Sequence, residues 1–464
     1  MQPLVADVLI IGGGLSGTLL AAQLLKQPGA RHVIVIEPRA ELGRGEAYSA
    51  TELIHTLNGN AARMSVDPDN PDDLTHWLQA HIEAGGWPES VQQDVPVAEL
   101  FPPRGLFGCY AQQRLAEAVS LGAALGSTLQ HVRGRVVDVQ VGADRVLLSL
   151  EDGQQLEGLA AVLATGMFAA ARTAQTGPDV ISSATLDPWD ISAMQRLDPA
   201  ARVLIVGAGL TMVDAVASLD QAGHRGPIEV FSRHGLLPQP PTWPDFLTER
   251  PHLVTPLQVM RELRRQCALA MALGIDWQAP LDTVRAHIAR LWSQAGERHK
   301  RQFVRHVRPW WESHHHRSPP QGAELLAALV ASGRLRIQAA TVVRVEPAQG
   351  GVHLVIKRRG QAAESRVVGD ALINSSGIVY DWRKVDAPLP RQLFARGLIQ
   401  CGPLALGIAA DEQGGVLDAA GNASPRLFAM GPPLRGMWWE STAVTDVALQ
   451  SKALALRLVG RGVR

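Results

Sequence analysis

At 464 residues the chain is too long for one ordinary domain and suits two or three. Its 44 basic and 44 acidic residues cancel, which excludes the charge excess of a nucleic-acid binder or a protein held on an anionic membrane. Three widely separated cysteines (Cys109, Cys267, Cys401) exclude a disulfide framework, a thiolate metal cluster and a CxxC redox pair. With no apolar run of about 18 residues and no leader-like segment before the first strand, a cytoplasmic protein with a small-molecule substrate is expected. A homo-oligomer stays open.

In chain order, residues 8–11 predict a short buried strand and Gly12, Gly14 and Gly17 a dinucleotide turn. Residues 18–26 then predict an apolar helix, and residues 33–36 a second strand ended by Glu37. The chemistry needs this spacing: Gly12 permits the tight turn, Gly14 lets backbone approach a pyrophosphate, and Gly17 lets the helix pack on the strand. The helix N-terminus turns free N–H groups toward the phosphates, and Glu37 can accept from ribose hydroxyls. Residues 128–139 and 145–150 read as strands, and 161–166 as a strand ending at Thr165 and Gly166.

The unit returns about 195 residues later, with residues 202–206 as strand, Gly207 and Gly209 in the turn, a helix over 210–221, and a strand over 227–231. Met212 stands where the third glycine would be. This strand ends in Ser232, Arg233 and His234 rather than an acid, which favours the 2′-phosphate of NADPH over the free hydroxyl of NADH. Strands at 334–337, 342–345 and 352–357 and a run to Ser376-Gly377 echo the tail of the first unit. An internal repeat fixes architecture. The fold class is α/β, with two Rossmann-like dinucleotide-binding lobes, the NADPH lobe inserted into the FAD lobe, plus a helical insert. The expected divisions are 1–195 for the first part of the FAD lobe and 196–377 for the NAD(P)H lobe with its insert at 236–321. Residues 378–464 complete the FAD lobe, with a strand over 427–430, Gly431, and a helix from about Ser441. From Arg261 to Arg317 the insert carries eleven basic residues against five acids. If these arginines line a pocket, they favour a carboxylate-bearing substrate.

A larger set of residues carries a resemblance. Gly43-Arg-Gly-Glu-Ala-Tyr48, Leu57-Asn58, Arg63-Met64-Ser65, Pro103-Arg104 with Phe107-Gly108, and the run Gly207 to Asp214 belong to it. So do Ser232 to Pro238, His314-His-His-Arg317 and Trp439-Glu-Ser-Thr-Ala443. Together they resemble the bacterial FAD-NAD(P)-binding family, sometimes called YdhS-like, over residues 6–458. Its layout is similar to that of flavin-dependent N-hydroxylating monooxygenases. The resemblance implies FAD contacts at Gly12, Gly14, Ser16, Gly17 and Glu37, with Tyr48, Asn58, Met64, Thr165, Gly166, Gly431, Trp439, Ser441 and Thr442 near the flavin. It gives the second nucleotide to Gly207, Gly209, Leu210, Thr211, Asp214, Ser232, Arg233 and His234. The usual Gly-Asp that holds the ribityl chain is Gly431-Pro432 here, so that hydrogen bond must come from elsewhere.

The resemblance points to an NADPH-dependent monooxygenase that uses FAD and O2 to oxidise a heteroatom, nitrogen first, of a small amine or amino acid. A reductase passing electrons from NAD(P)H through FAD to a quinone or protein acceptor is the alternative. His316, Arg317 and Glu440 are the candidate catalytic residues, with Arg317 expected to pair Glu440. Three adjacent histidines point in different directions on a regular element, so His314, His315 and His316 are not read as a metal site.

Overall fold

The computed structural model describes residues 5–87, 95–169, 184–240, 256–285 and 287–460. Val8, Leu9, Ile10 and Ile11 are all buried, as a parallel strand covered on both faces requires. Ala6–Ile11 pairs in parallel with His32–Ile36 on one side and Gln155–Leu163 on the other. Thr128–Val132 extends the sheet beyond His32–Ile36, and Ala423–Ala429 extends it beyond Gln155–Leu163. The expected strand over 128–139 is two strands: Val136–Val141 leaves the parallel set and pairs antiparallel with Val146–Leu150.

The second sheet repeats this order. Val203–Val206 lies between Ile228–Ser232 and Ala371–Asn374, all parallel. Leu335–Ala348 is one long strand with a register shift between Val342 and Arg344, where two shorter strands were expected. Thr185–Leu186 pairs with Ala371–Asn374 at the sheet's edge, so this sheet takes up chain ahead of the expected division at 196. Phe168–Ala169 pairs antiparallel with Ile378–Val379, which ties together the outgoing and returning connections between the lobes.

From Pro256 onward the described part of the insert is mainly helical, from Pro256–Ala272 to Arg308–His315. It is interrupted by a π-helical turn at Phe303–Val307. Ile288 and Trp292 pack on Leu406 and Trp439 of the returning segment, and Trp292 Nε1 donates to the Gly436 carbonyl at 2.8 Å. The insert therefore roofs the C-terminal part of the first lobe. The last helix runs Val444–Gly460, three residues later than expected. Among the described residues, no helix is long and apolar enough to cross a membrane.

Candidate functional site

The first glycine turn is crowded on its strand side and open at Gly14. Gly12 has φ +107, and a Cβ there would lie 2.5 Å from the Ala164 carbonyl oxygen. A Cβ on Gly17 would meet the Gly12 oxygen at 1.9 Å, so helix and turn touch backbone to backbone. At Gly14 a Cβ would meet only Gly45, at 3.4 Å. Glu37 braces the turn: its Oε2 accepts from Gly13 N–H at 2.8 Å and its Oε1 from Arg39 N–H at 3.1 Å. A carboxylate has about four lone-pair sites, which leaves acceptor capacity for a ribose. Gly431 has φ +68, and a Cβ there would fall 2.6 Å from Ser16 Oγ and 3.9 Å from the Ser441 carbonyl. The C-terminal segment thus meets the first turn of the nucleotide helix. Gly431 N–H donates to Gln450 Oε1 at 2.9 Å. Tyr48 packs on Phe107, 4.6 Å between rings, and burial pushes its phenol up to about 12. Asn58 and Met64 are half-buried, and Met64 packs against the first lobe's core.

Several polar atoms buried around this segment have no hydrogen-bond partner: Thr165 Oγ1, Trp439 Nε1, Glu440 Oε1 and Ser441 Oγ. An orphaned buried polar group is costly, and four near one turn fit a polar ligand there. Thr442 instead accepts from Arg435 at 3.0 Å.

In the second lobe, Gly207 repeats Gly12, with φ +101 and a virtual Cβ 2.2 Å from the Ser375 carbonyl. Gly209 is exposed with no described atom within 4 Å of such a Cβ, so the turn is open to a pyrophosphate. Leu210 and Thr211 begin the helix beside it. Met212, in place of the third glycine, is wholly buried in the core beneath the helix. Arg233 is exposed at the strand end, and Ser232 Oγ accepts from Gly235 N–H at 3.1 Å. Burial, then Arg359 and Arg233, hold His234 below the usual histidine range. Arg359, exposed on a different strand's end, thus joins the basic cluster, and linear sequence gave no signal of it. Asp214 is placed differently from the expectation. Its buried carboxylate pairs at 2.9 Å with Arg104 of the first lobe, itself largely covered, so it is spent on the lobe interface rather than offered to a nucleotide.

The candidate catalytic residues meet beneath the roof. Arg317, 2% exposed, pairs with Asp282 at 2.8 Å and not with Glu440. Arg63 also reaches Asp282, at 3.4 Å. Glu440 instead faces the Nε2 atoms of His315 and His316, at 3.7 and 3.9 Å. The helix Arg308–His315 ends there, and His316 leaves it at φ −89, ψ 82. That break swings the two adjacent rings to one side, against the expectation that neighbours on a regular element diverge. His314 turns away, with Nδ1 at 2.7 Å from the Trp310 carbonyl. Burial, the largest cause, outweighs the pull of Glu440 and holds His315 neutral well below the usual range. Burial pushes the Glu440 carboxyl up, but the facing His316 and the Arg435 guanidinium outweigh it and hold it well below the usual carboxylate range. Trp439 is covered by the Arg435 guanidinium, 4.4 Å from its ring centre.

Two mixed sheets with parallel centres, each with a glycine turn, one lobe inserted into the other, define a two-dinucleotide fold. Residues 9–168 match the family described as FAD-NAD(P)-binding, in agreement with the resemblance its motifs carry. Solved structures share the whole layout. An ornithine N-hydroxylase of Kutzneria sp. 744 is 14% identical, with TM-score 0.67 over 99% of this chain and 100% of that one. L-lysine 6-monooxygenase of Pseudomonas syringae is 14% identical, with TM-score 0.65 over 98% and 100%. Thioredoxin reductase of T. acidophilum, 10% identical, also superposes, with TM-score 0.53 over 99% of each chain. At such identities the likeness is one of fold. A curated relative, the FAD-dependent monooxygenase pigN of Monascus ruber, is 29% identical over 184 residues. That stretch is 37% of this chain and spans 40% of the relative's length.

Proposed function

We propose that the protein is a flavin-dependent monooxygenase that takes electrons from NADPH and inserts one oxygen atom of O2 into a small amine or amino acid at nitrogen. In balance, RNH2, O2, NADPH and a proton give RNHOH, water and NADP+. FAD belongs at Gly12, Gly14 and Glu37, and NADPH at Gly207, Gly209 and the Arg233 cluster; the flavin supplies the redox chemistry when bound. The observation that carries this reading is the roof. Trp292, Phe303 and Trp439 pack ring to ring at 4.7–5.9 Å over the C-terminal segment, and Glu440 and Ser441 lie buried beneath. A monooxygenase needs such a dry enclosure to keep activated oxygen from water; a reductase serving a quinone or protein needs an open flavin edge. The names of the ornithine and lysine enzymes of like fold agree with an amine substrate.

The test is stoichiometry. FAD-loaded enzyme with NADPH and a panel of primary amines and amino acids should form hydroxylamine in step with O2 uptake for at least one of them. Equal NADPH oxidation under nitrogen with a quinone, and no hydroxylated product in air, would give the protein to the reductase class.

A further inference from the structure

We infer that His315, His316 and Glu440 form a cradle for the ammonium group of the substrate, placing the reactive nitrogen under the roof by charge. The inference rests on the monooxygenase reading and says which residues recognise the amine. Three features lead to it.

The first is a gap. The carboxylate–imidazole separations of 3.7 and 3.9 Å are too long for hydrogen bonds, yet one acceptor atom from each of the three residues lies within 4.8 Å of the others. Glu440 is nine-tenths buried, with side-chain exposure 8%, and its Oε1 has no partner. Three polar groups converge without bonding each other, and a small cation between them would satisfy all three. The spacing is compatible with either of two cations. Acceptors about 2.9 Å from a tetrahedral nitrogen stand about 4.7 Å apart, whereas ligands about 2.1 Å from a zinc ion stand about 3.4 Å apart. The measured separations, 3.7 and 3.9 Å, fall between the two values, so the choice of ammonium comes from the amine substrate of the proposed reaction and zinc is the competitor in the test.

The second is charge. His315 is neutral and stacks on Trp311, 4.6 Å between rings, so it can accept an N–H but adds no positive charge. Neighbouring cations are already matched: Arg317 by Asp282, while Arg285 donates to Thr445 Oγ1 and lies near Asp446. The face of Trp439 is taken by Arg435. The incoming charge must therefore be balanced by Glu440.

The third is place. Glu440 adjoins Ser441, whose carbonyl borders Gly431 and, through it, Ser16 at the first nucleotide turn. The cradle thus stands on the segment that meets the first nucleotide turn. A nitrogen held here must lose a proton before its lone pair can take oxygen, and His316, the most exposed of the three at 33%, has the path to pass that proton to water.

The probe is n-propylamine, titrated into FAD-loaded protein and read by tryptophan fluorescence, since Trp311 and Trp439 border the cradle. Wild-type protein should give a saturable change that equimolar n-propanol does not. Glu440→Gln should weaken it about tenfold or more, the scale of a charged hydrogen bond, with FAD content measured alongside. His315→Gln supplies the same comparison should Glu440→Gln not retain flavin. Unchanged affinity in the soluble variant would overturn the inference, as would zinc chloride saturating the signal at micromolar concentration and excluding propylamine. If propylamine binds but oxidation of every amine is uncoupled, the monooxygenase reading fails and the cradle stands. Coupled hydroxylation by a variant that binds propylamine like wild type gives the reverse.

Discussion

Single residues at the two glycine turns divide into those that hold the fold and those that make room for a ligand. Gly12 is the first kind: its φ of +107 and the Ala164 carbonyl 2.5 Å from any Cβ leave nothing else possible. Gly14 is the second, because a methyl there would only touch Gly45 at 3.4 Å. Gly14→Ala should therefore leave the apoprotein's stability within about 0.5 kcal/mol of wild type, yet lose FAD on gel filtration because the methyl fills the pyrophosphate's space. Gly12→Ala should lower the apoprotein's midpoint as well. A Gly14→Ala protein that stays yellow would remove the first turn from the flavin. At the second turn, Arg233 should carry the cofactor preference. Arg233→Ala should raise the NADPH constant by an amount equivalent to about 1.5–3 kcal/mol and leave the NADH constant nearly unmoved. Arg359, which also bears on His234, should retain part of the preference until it too is replaced. Steady-state kinetics with both nucleotides checks this; an unchanged ratio in the double variant places the 2′-phosphate elsewhere.

Among elements, the roof is where stability and function meet. Trp292→Phe keeps the ring packing against Trp439 but removes the donor to the Gly436 carbonyl. It should cost about 1–3 kcal/mol, the penalty of an orphaned buried acceptor, and raise peroxide release per NADPH as water enters. Beneath the roof the pH dependence has a definite sign. His315 and Glu440 are both held below their ordinary values, so the stability they contribute is present above those values and is lost as pH falls through them. Asp446, pushed up to about 6 by burial, works the other way and loses its contribution as pH rises from about 4 toward 6. The midpoint of His315→Gln should fall less than that of wild type between about pH 6.5 and pH 4; parallel curves would mean that His315 does not titrate differently on folding. The glycine turns, both parallel sheets and the helical insert were legible because glycine spacing and apolar runs are local. The direction of the His316 ring was not, because it depends on a helix ending at His315. Nor was the Arg317–Asp282 pair, since two arginines and several acids lay in reach of any reading. Arg359 reaches its cluster only through strand pairing across more than 100 positions.

On the scale of the molecule, the question is what fixes one lobe against the other, since the proposed reaction needs two cofactors held by different lobes to meet. The Phe168–Ala169 and Ile378–Val379 pairing ties the connections, but a two-residue ribbon is a weak clamp. The stronger one is buried. Arg104, which opens the helix Arg104–Ala124 of the first lobe, meets Asp214 on the helix Leu210–Gln221 of the second at 2.9 Å. Beside them His55 Nε2 lies 2.8 Å from Ser218 Oγ, again across the interface, and Arg104 donates its backbone N–H to the His55 carbonyl at 2.8 Å. Burial is the largest influence on Asp214 and pushes its carboxyl up, with Arg104 the main opposing charge. A carboxylate so placed has no other described ion-pair partner, so Arg104→Met should strand it and cost about 3–5 kcal/mol. Replacing both, Arg104→Met with Asp214→Leu, should recover most of that loss, because packed apolar groups can substitute for a buried pair at little cost. Orientation should not recover with it. Two apolar side chains fill the space but do not fix a direction, so the double variant should melt near wild type while NADPH reduces its flavin more slowly. Stopped-flow reduction beside calorimetry separates the two effects. Wild-type reduction rates in the stable double variant would show that the pair holds the protein together without aligning its lobes.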